Sequence, residues 1–220
     1  PSPDGDENLR AEGVSEERIH RVGNVMIDSL FSNLERAKKS LIHTELGTLS
    51  EYAILTLHRP SNVDQKENFS GIIRALEKIG NEIQLVFPVH PRTEKMAKSF
   101  GLYERLKAIP NIVLTGPVGY LDFVALMANS KMALTDSGGL QEETTALGIP
   151  CITLRENTER PITVTEGTNT IVGCDPELIL KTAYEVLEGK GKAGRIPDLW
   201  DGKTSSRIAD VLLQYIENGD

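Results

Sequence analysis

Thr135-Asp136-Ser137-Gly138-Gly139-Leu140-Gln141-Glu142-Glu143 is the segment whose residue types could most readily do chemistry. It follows an apolar run and opens a helical pattern. Glycine lets a backbone turn sharply and approach a ligand, and the first N–H groups of a helix have no partner inside it. With the helix dipole, those amides make an anion site, most often for phosphate. Glu143, one turn in, can reach past the loop and accept two hydrogen bonds from a ribose diol. The same residues also read as a plain capped turn, with Asp136 or Ser137 as N-cap and the two glutamates complementing the dipole. On the motif alone both readings stand.

Four further segments carry donors and cations. Leu57-His58-Arg59-Pro60-Ser61-Asn62-Val63 leaves an apolar run with a His-Arg pair in a loop shaped by proline. A histidine there can hydrogen-bond or protonate phosphate near neutral pH. Val89-His90-Pro91-Arg92 repeats the pattern more weakly, since His-Pro often only ends a strand. Arg155-Glu156-Asn157-Thr158-Glu159-Arg160-Pro161 offers two arginines, which suit a diphosphate or else form a surface ion-pair network. In Gly116-Pro117-Val118-Gly119-Tyr120, Phe123 follows one turn later and could stack on a base, although a helical aromatic is more often core.

The elements that must hold these loops follow from the apolar pattern. The runs Tyr52–Leu57, Ile83–Val89, Asn111–Thr115, Lys131–Thr135, Cys151–Leu154 and Thr170–Val172 are too apolar for half-exposed strands and fit strands buried on both faces. Between them lie amphipathic stretches: one through Phe69, Ile72, Ile73, Leu76 and Ile79, then Thr93–Leu106, Tyr120–Ala128, Leu140–Leu147 and Pro176–Leu187. Alternating strands and helices imply right-handed βαβ units in a Rossmann-like, doubly wound parallel sheet of the α/β class. All five loops follow strands, so all five converge on one edge of the sheet, where such folds bind ligands. Helical extensions flank this core. Asn8–Gly13 reads as a short helix after a linker-like Pro1–Glu7, and Arg18–Val22 as a short strand. Val25–Leu41 reads as a helix with Val25, Ile27, Leu30, Leu34, Ala37 and Leu41 on its apolar side. Gly189–Gly202 is a weakly structured link to a capped helix, Ser205–Ile216.

Composition narrows the function classes. The chain has 220 residues, 39% apolar and 25% charged, with 24 basic against 32 acidic side chains for a net charge of −8. That balance disfavours wrapping nucleic acid or lying on an anionic membrane. No window approaches a membrane span, and two cysteines, Cys151 and Cys174, make neither a disulfide framework nor a zinc site. They read as small residues in a reducing, cytoplasmic setting.

His58-Arg59-Pro60-Ser61-Asn62, His90-Pro91, the Thr135–Glu143 segment and Thr158-Glu159-Arg160-Pro161 closely resemble the motifs of the non-hydrolysing UDP-N-acetylglucosamine 2-epimerases. Val22-Gly23-Asn24-Val25-Met26-Ile27-Asp28 and Asp201-Gly202-Lys203-Thr204-Ser205-Ser206-Arg207-Ile208 fit the same family. The resemblance implies a GT-B architecture of two Rossmann-like domains and a reversible interconversion of UDP-GlcNAc and UDP-ManNAc without cofactor or metal. UDP is eliminated across the C1–O bond with loss of the C2 proton, giving 2-acetamidoglucal, and then re-adds. Carried to this chain, Ser137 and the amides of Gly138 and Gly139 would bind diphosphate, Glu143 the ribose hydroxyls, and Phe123 and the backbone near Val118 the uracil. His58 and Arg160 would stabilise the leaving UDP, and His90 would lie near a regulatory UDP-GlcNAc site known in some bacterial members. Pro60-Ser61 departs from the Arg-Glu of many bacterial relatives. The family's acid and base carboxylates belong to an N-terminal domain. On this reading residues 1–30 are the end of that domain and the crossover, 31–203 the nucleotide-binding domain, and 204–220 a helix packing toward the N-terminal domain. The full enzyme would be a homodimer in cell-surface polysaccharide biosynthesis, and this chain alone would be inactive. A GT-B glycosyltransferase and a non-catalytic nucleotide-sugar-binding module are the alternatives.

Overall fold

Alternating side chains decide how the sheet is covered. In β1 (Tyr52–Thr56), Ala53 and Leu55 face one layer of helices while Tyr52 and Ile54 face the other, and all four are buried. Both faces being apolar, the strand must be central in a parallel sheet. The computed structural model, which describes residues 1–218, shows this. β1, β2 (Gln84–Pro88), β3 (Ile112–Thr115), β4 (Met132–Thr135), β5 (Cys151–Thr153) and β6 (Asn169–Ile171) form one sheet, ordered β3-β2-β1-β4-β5-β6 and parallel throughout. The chain winds outward from β1 to β3, returns to the middle at β4 and winds out the other way. The switch point lies between β1 and β4, where a crevice opens at the carboxyl ends of the strands.

One layer consists of α4 (Pro60–Val63), α5 (Lys66–Glu82), α6 (Pro91–Ser99), α7 (Tyr103–Lys107) and α11 (Pro176–Leu187). Phe69, Ile72, Ile73, Leu76 and Ile79 of α5 are all fully buried there, as their spacing predicts. The other layer holds α2 (Val25–Ala37), α3 (Ile42–Leu46), α8 (Tyr120–Ala128), α9 (Gly138–Leu147) and α10 (Pro161–Thr165), packed around Ile27, Leu30, Leu126 and Leu140. Both cysteines are free. Among the described residues no helix is long and apolar enough to cross a membrane.

The structure corrects several expectations. Pro1–Glu7 is no linker: Pro3–Ala11 forms α1, with proline at its start and Asp4 and Asp6 in its first turn. Arg18–Val22 is no strand. Glu16–Arg18 forms a 3-10 turn, and the turn and the chain after it accept from side chains of the C-terminal helix: Tyr215 Oη donates to the Glu17 carbonyl at 3.2 Å and Arg207 Nη1 to the Val22 carbonyl at 3.2 Å. The Val25–Leu41 helix stops at Ala37, leaving Val25 and Leu41 exposed. The Thr93–Leu106 stretch breaks at Gly101, whose φ of 71° lies in the left-handed region that glycine adopts without strain. The 189–202 link is irregular but anchored, because Trp200 is 1% exposed and its indole N–H donates to the Pro1 carbonyl at 3.0 Å.

The C-terminal helix α12 (Thr204–Asn218) is capped from a distance. Asp28 of α2 accepts from the Thr204 amide at 3.1 Å, the Ser205 amide at 2.6 Å and the Ser205 hydroxyl at 2.8 Å. Burial opposes its charge, and the hydrogen bonds from Ser205 and Thr204 outweigh it, so the carboxyl titrates below its ordinary value. A depressed native pKa contributes stability above the ordinary aspartate range and loses it as pH falls through the native value. Asp28→Ala should therefore cost about 1 kcal/mol near neutrality, with faster amide exchange at Thr204 and Ser205. The difference from the parent in chemical denaturation should shrink as pH falls below about 4. An equal difference at every pH would remove Asp28 from the cap.

Candidate functional site

The site is organised by a carboxylate that faces away from the helix it precedes. Asp136, directly after β4, is fully buried. Its oxygens accept from the amides of His58 at 2.9 and 3.1 Å and Arg59 at 2.8 Å and from Asn62 Nδ2 at 3.1 Å, and one of them lies 2.8 Å from His58 Nδ1. Asn62, also fully buried, donates in addition to the Leu154 carbonyl at 2.8 Å and accepts from Cys174 Sγ at 3.2 Å. One carboxylate and one amide thus join the ends of β1, β4 and β5 and the loop after β6. The pairing is possible because β1 and β4 are neighbours with Thr56 opposite Thr135.

The plain capping reading of this segment does not hold. Neither Asp136 nor Ser137 caps α9 through its side chain, and the Ser137 amide is bound by Thr135 Oγ1 at 2.9 Å. The first amides of α9 therefore face the carboxyl edge without a side-chain cap. At Gly139 a Cβ would meet nothing within 4 Å, and at Gly138 the nearest atom is Glu159 Oε2 at 3.9 Å, so the backbone surface here is open. Glu159 is itself gripped by Arg155 through bonds of 2.6 and 2.8 Å, which bring its carboxyl down to about 2.

Two buried carboxylates follow on α9. Burial pushes Glu143 above its ordinary value; the Tyr120 hydroxyl, donating at 3.2 Å, lowers it and neighbouring Glu142 raises it further. Burial and Glu143 together push the Tyr120 phenol up to about 12. Glu142 is raised by burial too, against Arg160 Nε and Asn24 Nδ2, each at 3.0 Å.

Beside this lies a cleft of about 190 Å³ lined by Thr56, Leu57, His58, His90, Val118 and Phe123, with Pro88, Val89 and Pro117. The rings of His58 and His90 are 5.8 Å apart, so His90 shares the cleft of His58 instead of a separate surface. Their neighbours imply where protons sit. His58 Nδ1, 2.8 Å from a carboxylate oxygen of Asp136, carries one, while His90 Nδ1 accepts from the Arg92 amide at 3.1 Å, which puts its proton on Nε2. The sequence-predicted residues thus form two adjoining groups: Ser137, Gly138, Gly139, Glu143 and Arg160 around the start of α9, and His58, His90, Val118 and Phe123 in the cleft. Sequence reasoning missed two functions. Asp136 read as a cap, and Asn24, before an amphipathic helix, read only as part of a motif; its bond to Glu142 spans 118 positions and leaves no local signal.

Known proteins are similar in sequence and fold. The family model described as UDP-N-acetylglucosamine 2-epimerase matches residues 1–213. A UDP-N-acetylglucosamine 2-epimerase of Methanocaldococcus jannaschii is 40% identical over 211 residues, covering 93% of this chain and 57% of that protein. A UDP-2,3-diacetamido-2,3-dideoxy-D-glucuronate 2-epimerase of Pseudomonas aeruginosa is 36% identical, covering 94% and 57%. The crystal structure of the M. jannaschii UDP-GlcNAc 2-epimerase in complex with UDP-GlcNAc and UDP matches with a TM-score of 0.87 at 39% identity, over 97% of this chain and 60% of that one. The chain therefore spans less than two thirds of the length of these relatives.

Asp136→Ala strands the donors of His58, Arg59 and Asn62 and should destabilise the fold by about 2 to 4 kcal/mol. Asp136→Asn keeps the shape and one acceptor oxygen and should lose less. Chemical denaturation reads both; an Asp136→Ala protein as stable as the parent would show that the carboxylate does not hold the loops.

Proposed function

The chain belongs to the UDP-N-acetylglucosamine 2-epimerase family, and from that premise we propose that it forms the nucleotide-binding half of an enzyme that interconverts UDP-GlcNAc and UDP-ManNAc. The observation that carries this reading is the uncapped start of α9 beside buried Glu143, with the His58–Phe123 cleft adjoining it. A diphosphate against the amides of Gly138 and Gly139 and the Ser137 hydroxyl leaves Glu143 for the ribose hydroxyls, and Phe123 and the backbone near Val118 for the base.

In the reaction the C2 proton is removed and the C1–O bond to the diphosphate breaks, forming 2-acetamidoglucal and UDP. Re-addition of UDP with protonation of C2 on the other face completes the epimerisation. Charge develops on the departing phosphate oxygen, and stabilisation there is worth most from donors already in place. His58, with Nδ1 beside Asp136, donates from Nε2 to that oxygen when its ring carries both protons, and Arg160 adds a fixed positive charge. The groups that move the C2 proton belong, on this reading, to the portion of the relatives' length that this chain does not span. Residues 1–30 would then serve as the crossover, 31–203 as the nucleotide-binding domain and α12 as a helix docked on the other half, residues 219 and 220 of that last segment lying outside the described residues. The exposed Leu212, Leu213 and Ile216 on α12 support that last assignment. The full-length enzyme would act as a homodimer.

Calorimetry with UDP tests the site. Ser137→Ala and Glu143→Ala should each weaken binding, the latter by about tenfold; unchanged affinity in both overturns the assignment. In deuterated water, UDP-GlcNAc incubated with this chain should show negligible deuterium at C2 by NMR. Substantial exchange would overturn the division of labour, and transfer of the sugar to an acceptor without exchange would favour a glycosyltransferase.

A further inference from the structure

Two glutamates stand side by side on α9, and the proposed nucleotide site uses only Glu143. Glu142 is 5% exposed, yet its Oε1 accepts from Asn24 Nδ2 at 3.0 Å and forms an ion pair with Arg160 Nε at 3.0 Å. The orientation of Asn24 is fixed independently. It is the N-cap of α2, and its Oδ1 accepts from the Met26 amide at 3.0 Å, so the donor half of the side chain is the half turned to Glu142. Arg160 is the opposite case: a long cation with its side chain 44% exposed, at the N-cap position of the short helix α10. Left alone, such a side chain samples many rotamers and loses that freedom when fixed. Here its Nε is held by Glu142 and its Nη1 donates to the Glu159 carbonyl at 3.1 Å. Nη2 stays uncommitted among the described residues.

Stability does not account for this arrangement. Burying a carboxylate carries a desolvation penalty that a single ion pair with a half-exposed arginine does not recover. Burial indeed raises the Glu142 carboxyl above its ordinary value, with Arg160 and Asn24 opposing. Nor does Glu142 help an anion directly, because its own charge repels one. What the pair does achieve is geometric: a buried group, anchored from the crossover segment, fixes the direction of a cation one residue beyond Glu159, whose carboxylate lies beside the start of α9.

We propose that Glu142, oriented by Asn24, is a positioning residue that holds Arg160 for the diphosphate of a nucleotide bound at the start of α9. This rests on the nucleotide site proposed above. The charge of Glu142 gives the test its sign. If Glu142 merely sits nearby, Glu142→Gln removes a repulsion and UDP binds as well or better. If it positions Arg160, the same change weakens UDP.

The measurement is calorimetry of the 220-residue chain with UDP and with uridine, for Glu142→Gln, Glu142→Asp, Arg160→Ala and the Glu142→Gln/Arg160→Ala pair, with thermal unfolding to confirm folding. Arg160→Ala and Glu142→Gln should each weaken UDP about tenfold, with uridine affinity within about twofold of the parent. The double variant should bind no more weakly than Arg160→Ala alone, the non-additivity expected of residues acting through one contact. Glu142→Asp keeps the charge but shortens the reach, so it should weaken UDP as well, and it carries the comparison if Glu142→Gln does not fold. UDP binding by Glu142→Gln at or above parental affinity, alongside weakening by Arg160→Ala, would overturn the positioning role and leave the nucleotide site standing. UDP affinity unchanged in Arg160→Ala would overturn the positioning role and the place of Arg160 at the diphosphate, whereas a parent chain that does not bind UDP would overturn the nucleotide site itself.

Discussion

A fully buried carboxylate at the switch point of the sheet sets the conditions for everything around it. Asp136 sits where water cannot solvate it, so its charge must be met by donors from the protein. The donors come from the neighbouring strand's exit: two backbone amides, one side-chain amide and one imidazole N–H. Satisfying the charge therefore fixes the loop after β1, and fixing that loop fixes His58. Asn62 extends the constraint to β5 and the loop after β6 through Leu154 and Cys174. Four loops that belong to different βαβ units become one surface.

The same commitment leaves α9 uncapped. An aspartate just before a helix usually turns back onto its first amides; this one is engaged elsewhere, so the amides and the positive end of the dipole face the ligand edge. A chain with net charge −8 can then offer a local anion site without a cluster of lysines. The acidic groups nearby are neutralised in place: Glu159 by Arg155, and Glu142 by Arg160 and Asn24. Among the described residues Glu143 meets only the Tyr120 hydroxyl, which leaves it acceptor capacity for a ligand.

The sheet was legible in the sequence because a buried strand reads as a continuous apolar run, and the six runs match the six strands nearly residue for residue. The edge strands are less covered than expected: β3 is half-buried throughout and β6 over two of its three residues. The ligand edge was legible because every loop after such a strand has the same address. What could not be read were interactions whose partners lie far apart in the chain. Asp28 caps a helix 176 residues later, and Asp136 binds a loop 78 residues earlier. Local pattern also misjudged the ends. Arg18–Val22 has the composition of a strand, but it lies against α12, and the sheet is bounded by β3 and β6. Pro3–Ala11 has polar, linker-like composition and is a helix all the same, with proline fitting the first position and acids the first turn.

These long-range bonds also make the entry and exit of the chain a single body. Gly23 has a φ of 105° and packs directly on the Leu199 carbonyl, so no side chain fits there. Five residues on, Asp28 caps α12, and Trp200 bonds the first residue of the chain. Asn24 lies between the first two of these contacts and bonds Glu142. A displacement of this assembled segment must therefore either break the Asn24–Glu142 hydrogen bond, leaving a buried carboxylate with one donor fewer, or carry α9 along. Breaking it exposes the full desolvation penalty of the carboxylate. This segment is for that reason coupled to α9 by chemistry, and its position and that of the helix's uncapped first amides are not independent.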